Sequence, residues 1–234
     1  IGDSNTVSGR ASIALGFNNT SSAYASTAVG FQNIASSEAA FAGGYQSDAT
    51  NFNAFAYGND AQASGKNSIA LGLLTKARGN ESVAIGNLAE TASTATTAIA
   101  LGYNVKANGA SSVAFGNGSV ASGESSFAMG INSTTASGSG SFAGGNGAKA
   151  QGNNSIALGH NVTASGVTSA AFGLNTTAAG QYSFTQGYGT NATNESEAVL
   201  GQFNLPVASA IFQVGDGNTT SSQSNLISAI KGGV

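Results

Sequence analysis

The 234-residue sequence predicts an all-β chain wound as a parallel β-roll, a β-solenoid of about fourteen 14-residue turns with a C-terminal β cap. Three observations predict it. A glycine recurs at a fixed period, the residues before it alternate between small and apolar, and the residues after it are turn formers. Self-similarity at a fixed period marks repeat architectures, in which each unit buries its faces only against its neighbours.

The period is read from the anchor glycine. Ser12–Gly16 reads SIALG, and Ser68–Gly72 and Ser155–Gly159 repeat it letter for letter. Ser82–Gly86 reads SVAIG, Ser112–Gly116 SVAFG and Ser126–Gly130 SFAMG. From Gly16 to Gly201 fourteen anchors follow in steps of 14, except for a step of 16 after Gly86 and one of 15 after Gly130. The extra residues are expected near Glu90 to Thr94 and near Asn132 to Thr135, polar stretches where an insertion bulges without shifting register. The turns around Gly30, Gly44 and Gly58, and the last two, are looser copies.

The first strand of each turn ends at the anchor. Strand side chains alternate between faces, so Ile69 and Leu71 share one side while Ser68, Ala70 and Gly72 share the other. Two residues past the anchor stand Asn18, Asp60, Asn104, Asn161 and Gly189, types that tolerate the positive φ of a tight turn. A second strand then carries Ala-x-Gly, as at Ala63–Gly65, Ala107–Gly109 and Ala164–Gly166. Val105, Ala107 and Gly109 give it one small face, and its alternate positions are polar.

Charges follow this alternation. Asp48, Lys76, Glu90, Lys106 and Lys149 all stand four residues after an anchor, and Arg78 stands six after. They mark the solvent side of the second strand. Glu81 and Glu197 fall at the entry to the first strand, and no charge replaces a member of the Ile/Leu pair.

Two small faces turned inward make a thin roll, which leaves the large apolar face of the first strand pointing outward. Exposed apolar patches on soluble monomers rarely exceed about a few hundred Å². The expectation is an oligomer wound about a shared axis, most simply a homotrimer, although a wider monomeric roll would also bury these residues. Its core would hold Ile13, Leu15, Ile69, Leu71, Val83 and Ile85 in the earlier turns. In the later turns Ile99, Leu101, Val113, Phe115, Ile156 and Leu158 continue the same stripe.

Beyond the array, Ala210–Gly215, a polar turn and Leu226–Ile230 read as strand, turn, strand. An open solenoid end exposes an unpaired edge, so a cap is expected there. The organisation is thus a repeat head at 1–201 and a capping segment at 202–234.

Composition narrows the function. Only 7% of residues are charged, against about 25% in ordinary domains, and the net charge is −3 with no basic run, which argues against nucleic acid as a partner. Cysteine is absent, which removes thiolate metal sites and thiol nucleophiles. No stretch approaches the length of a membrane span, so direct membrane insertion is not expected. The single histidine, His160, is read at a turn position, and no cofactor, metal or catalytic cluster is expected. Lys76, Arg78, Lys106 and Lys149 are the most prominent outward side chains and the candidate surface contacts, although solvated surface charge explains them as well.

The pattern SVAIG followed by Ala-x-Gly every 14 residues, across about Ser12 to Gly201, resembles the YadA-type head of trimeric autotransporter adhesins. Similar repeats occur in phage tail fibres. The resemblance implies a left-handed roll, three chains, and attachment to a host cell, matrix or other surface receptor from an extracellular, cell-surface or virion position. One departure is the missing neck, with its motif like Asp-Ala-Val-Asn, after the last repeat. A non-catalytic fibre or adhesin head is the expected function, with a tail-fibre segment as the alternative and a depolymerase as the alternative of a different class.

Overall fold

The computed structural model describes residues 2–232; Ile1 of the expected head and Gly233 and Val234 of the expected cap lie outside the described residues. The chain falls into two compact units, Ile1–Asn117 and Gly118–Val234. Each is a parallel β-solenoid built on the same 14-residue turn.

In the first unit a turn consists of a five-residue strand such as Ile69–Leu73, a tight corner, a two-residue strand such as Lys76–Ala77, and a second corner. Every residue lies over its counterpart one period along. Ile69, Ala70, Leu71 and Gly72 pair with Val83, Ala84, Ile85 and Gly86 on one side, and with Phe55, Ala56, Tyr57 and Gly58 on the other. The corners keep the same register, since the Leu74 amide donates to the Asn59 carbonyl at 2.8 Å and the Glu81 amide to the Lys66 carbonyl at 2.7 Å. Most corner amides are therefore satisfied along the stacking direction, as buried backbone requires.

The longer step after Gly86 does not disturb the ladder. Val83 pairs with Ile99 and Gly86 with Gly102. The short strand Glu90–Thr91 also keeps register with Lys76 and Lys106. The two extra residues, Ser93 and Thr94, are ejected within the stretch the sequence suggests, while the Ala92 amide still donates to the Ala107 carbonyl and the Thr97 amide to the Asn80 carbonyl. In the second unit Gly130 still pairs with Gly145, and the inserted residue sits at Asn132 and Ser133, both with positive φ (54° and 62°).

The interior is made almost wholly of small side chains. Ala70, Ala84 and Ala100 from the long strands and Ala63, Ala77 and Ala107 from the short ones are all fully buried. In the opening turns the inward residue just before the short strand is asparagine. Asn33 Nδ2 donates to Asn19 Oδ1 at 2.9 Å and to the Val29 and Gly44 carbonyls, so a buried amide ladder links one turn to the next. Its donors and acceptors are matched, which is the condition for burying such a network.

Two glycine columns have different causes. Gly72 has φ +126°, and a Cβ there would collide with the Gly86 carbonyl oxygen. The glycine of Ala-x-Gly, as at Gly65, is demanded by close approach, since a Cβ would strike the Gly79 carbonyl oxygen. This corrects the length expected for the second strand. It spans two residues, and Gly65 and Gly109 lie in bends beyond it.

The array runs further than its fourteen anchors in both directions. Gly2 pairs with Gly16, and the strand Ala210–Asp216 lies parallel on Ala198–Gln202 with Gly215 over Gly201. The first strand of the expected capping segment is therefore one more parallel rung. Asn225–Ile230 then returns antiparallel upon it, covering the edge that a further turn would occupy.

Candidate functional site

The long strands present one continuous outward face in each unit. Ile13 is 49% exposed, Ile69 37% and Phe115 48%, while Leu15, Ile85 and Ile156 are also exposed. Leu71, Val83, Ile99, Leu101, Val113 and Leu158 are half-buried. Register stacks them into files: Ile69, Val83, Ile99 and Val113 in one, Leu71, Ile85, Leu101 and Phe115 in the next. In the second unit Ile156 continues from Phe142, and Leu158 lies over Gly144.

A third file was missed in the sequence. The strand runs one residue past the anchor, as in Ile13–Phe17, so Phe17, Phe31, Tyr45, Leu73 and Tyr103 belong to the same face. Phe17 stacks on Phe31 at 5.2 Å and Phe31 on Tyr45 at 5.0 Å between ring centroids. A second aromatic pair, Phe41 on Phe55 at 4.8 Å, runs beside it. The signal was available, because the residue after the anchor is aromatic or aliphatic in many turns. His160 occupies this file too, ending the strand Ile156–His160 between Asn146 and Leu174, which corrects its placement in a turn. It is exposed, and among the described residues no group of three or more His, Asp or Glu could hold a metal ion.

The short strands present the polar side. Lys76 and Lys106 flank Glu90 in register, and Arg78 pairs with the Glu90 carboxylate, so three of the four candidate contact residues gather about one acid. Lys149 stands apart in the second unit, between Thr135 and Thr163. Arg78 and Glu90 are partly exposed, where an ion pair contributes about 0.2–1 kcal/mol. On the same side, burial together with the neighbouring Asp60 pushes the Asp48 carboxyl above its ordinary 3.8.

Glu197 is the acid whose setting the sequence did not disclose. It replaces the entry serine of other turns and is 1% exposed. Its Oε2 accepts from the Thr193 and Asn194 amides at 2.8 and 2.9 Å and from Asn194 Nδ2 at 3.0 Å, performing the corner-stapling role that Ser68 and Ser82 fill by donating to the Gly65 and Gly79 carbonyls.

In-register turns, a small-residue interior and two chemically opposite outer faces define a repeat-built parallel β-solenoid. A family model described as the YadA head domain repeat (2 copies) matches residues 1–19, 49–75, 63–89, 77–104, 93–119, 107–133, 136–161 and 164–184. Those segments cover well over half of the chain, and the chain belongs to the YadA head family. Successive matches at 49, 63 and 77 begin one turn apart, and the gap at 20–48 coincides with the looser turns around Gly30 and Gly44. No curated protein matches the chain.

Proposed function

We propose that the chain is the head of a homotrimeric, extracellular fibre or adhesin that attaches its bearer to a host cell, matrix or other surface without catalysis. The observation that carries this reading is the outward apolar face of the long strands, the two files to which Ile69 and Leu71 belong, bordered by the mixed third file in which Asn59, Asn87 and Asn117 alternate with Leu73 and Tyr103. Files of Ile, Leu, Val, Phe and Tyr left in water would forgo about 25 cal/mol per Å² of apolar area, and packing against other copies of the chain recovers it. The residues from Ile13 to Leu158 named above then form the shared core. The polar short-strand side stays outside, where repetition supports many weak contacts at once. Lys76, Arg78, Lys106 and Lys149 are its candidate contact residues.

Sedimentation equilibrium at micromolar concentration is expected to give the mass of three chains, and beads coated with the protein are expected to adhere to epithelial cells or matrix. A stable folded monomer would remove the trimer, and beads that bind no surface would remove the adhesin. The antiparallel strand Asn225–Ile230 favours a second reading, a phage or viral tail-fibre segment that binds a receptor, because it closes the ladder where a neck would continue. Sequence flanking the chain separates them: an outer-membrane barrel supports the first and a virion-attachment domain the second.

A further inference from the structure

One flank of the second unit departs from the repeat. The loop joining the last two strands folds back toward the corners of the preceding turns, and between them lies a cleft of about 400 Å³, within the range of small-molecule sites. The loop is tied in place. The Ser224 amide donates to the Phe203 carbonyl at 3.2 Å, Ser224 Oγ to Asp216 Oδ1 at 2.6 Å, and Asn225 Nδ2 to the Leu205 carbonyl at 2.7 Å.

The chemistry of the walls is specific. Tyr188 is 43% exposed, and its ring is braced by Phe203 at 4.5 Å with an interplanar angle of 61°. Gly189 makes room for that brace, since a Cβ there would lie 2.5 Å from Phe203 Cε1. Around the rings stand the amides of Asn175, Asn191, Asn218 and Gln223, with threonines on both walls, and no lining residue is charged. An aromatic face attracts the slightly positive C–H face of a pyranose ring, while amides and hydroxyls both donate to and accept from sugar hydroxyls. A charged ligand would find no counter-ion among the lining residues. A second concave site of this unit, formed by Asn132, Ser133, Gly147, Lys149, Asn161 and Thr163, has a cation and no aromatic ring.

We propose that the Tyr188 cleft binds a neutral glycan. It rests on the attachment reading and gives that reading a ligand class, with Tyr188 as the stacking platform and Asn175, Asn218 and Gln223 as hydrogen-bonding groups. One such site per chain would be weak by itself, and an assembly of chains would multiply it.

The test is calorimetric titration of the assembled protein with cellohexaose, maltohexaose and tetra-N-acetylchitotetraose, with sialyllactose as the anionic comparison. At least one neutral probe is expected to bind with a Kd near about 1 mM or below, a site worth about 4 kcal/mol. Tyr188→Ala should weaken it about ten-fold or more, Tyr188→Phe should retain it, and a change at the exposed Glu124, Glu124→Gln, should leave it unchanged, with circular dichroism confirming that each variant is folded. Absence of heat from all three neutral probes at about 10 mM overturns the proposal. So does binding that Tyr188→Ala leaves intact, or a preference for sialyllactose. Absence of glycan binding by a parent protein that still coats beads and adheres sinks the cleft and spares the adhesin, whereas Tyr188-dependent glycan binding without adhesion does the reverse.

Discussion

The two sides of the long strands obey different rules. Inward, the middle residue is alanine in twelve consecutive turns from Ala14 to Ala171, before Thr185, Val199 and Gln213 widen the interior at the end of the array. Outward, one position along, the residue ranges from Gly43 and Gly144 through Leu71 and Met129 to Tyr57 and Phe115. The inward volume is set by the chain's own two strands, so one side-chain size fits. Outward size is traded between neighbours: a Cβ on Gly43 would lie 2.7 Å from Tyr57 Cδ2, and one on Gly144 would lie 2.7 Å from Leu158 Cδ2. The fold of a single chain therefore fixes side-chain size inward and leaves it free outward.

Substitutions at matched positions should break this contrast in a set order. Gly72→Ala places a Cβ against the Gly86 carbonyl at a φ of +126°, and is expected to cost about 4 kcal/mol or more, read as loss of the cooperative thermal transition. Ala100→Leu overfills the interior and should cost about 3 kcal/mol by denaturant unfolding. Leu101→Asp, its neighbour on the other side, spares the interior. It should instead raise the protein concentration at which the assembly dissociates by about ten-fold or more, about 1.4 kcal/mol, in sedimentation.

A smaller effect sharpens the picture at the corners. Leu74 and Leu88 hold φ of +54° and +57°, where an L side chain other than Asn, Asp or Gly is strained. Leu88→Asn is expected to stabilise by about 1 kcal/mol, visible as a raised midpoint. If Leu88 instead packs in the assembly, the midpoint falls, and the apolar face reaches the corner as well.

Asp48 supplies the smallest effect. Its carboxyl titrates above 3.8 in the folded chain because of burial and then Asp60, so the folded chain holds more proton than the unfolded one across that window. Stability therefore falls as pH rises through it, and the full cost is present at neutral pH. Asp48→Asn should gain about a few tenths of a kcal/mol at pH 7 after solvent screening, and the gain should vanish once both states of the parent are protonated.

Much of this was legible because period and alternation act on the same residues. The SIALG copies disclosed the ladder, and the alternation of Ile69, Ala70 and Leu71 disclosed which side is inward. The column at Asn18, Asn104 and Asn161 announced positive φ, which each adopts (53°, 50° and 52°). A second such column, at Asn67, Glu81, Ser111 and Tyr182, was invisible, because residue type there is unconstrained once the backbone hydrogen bonds to the turn before it fix the corner. The third outward file was hidden by treating the anchor glycine as the strand end, whereas its positive φ lets the strand continue to Phe17 or Tyr103. Ala210–Asp216 was read with the cap because it follows the last anchor as strand, turn, strand, and Gln213 fills the inward place that alanine holds in earlier turns. The Tyr188 cleft depends on a loop that belongs to no repeat, so periodicity carries no information about it.

In-register stacking has an evolutionary consequence. Since each residue rests on its own counterpart, copying or deleting a gene segment that encodes one whole turn leaves every remaining contact of the same kind, and only the number of turns changes. Fractional copies must be expelled as loops, as at Ser93 and Thr94. The array can thus change its number of turns by recombination, with no compensating substitution in the interior.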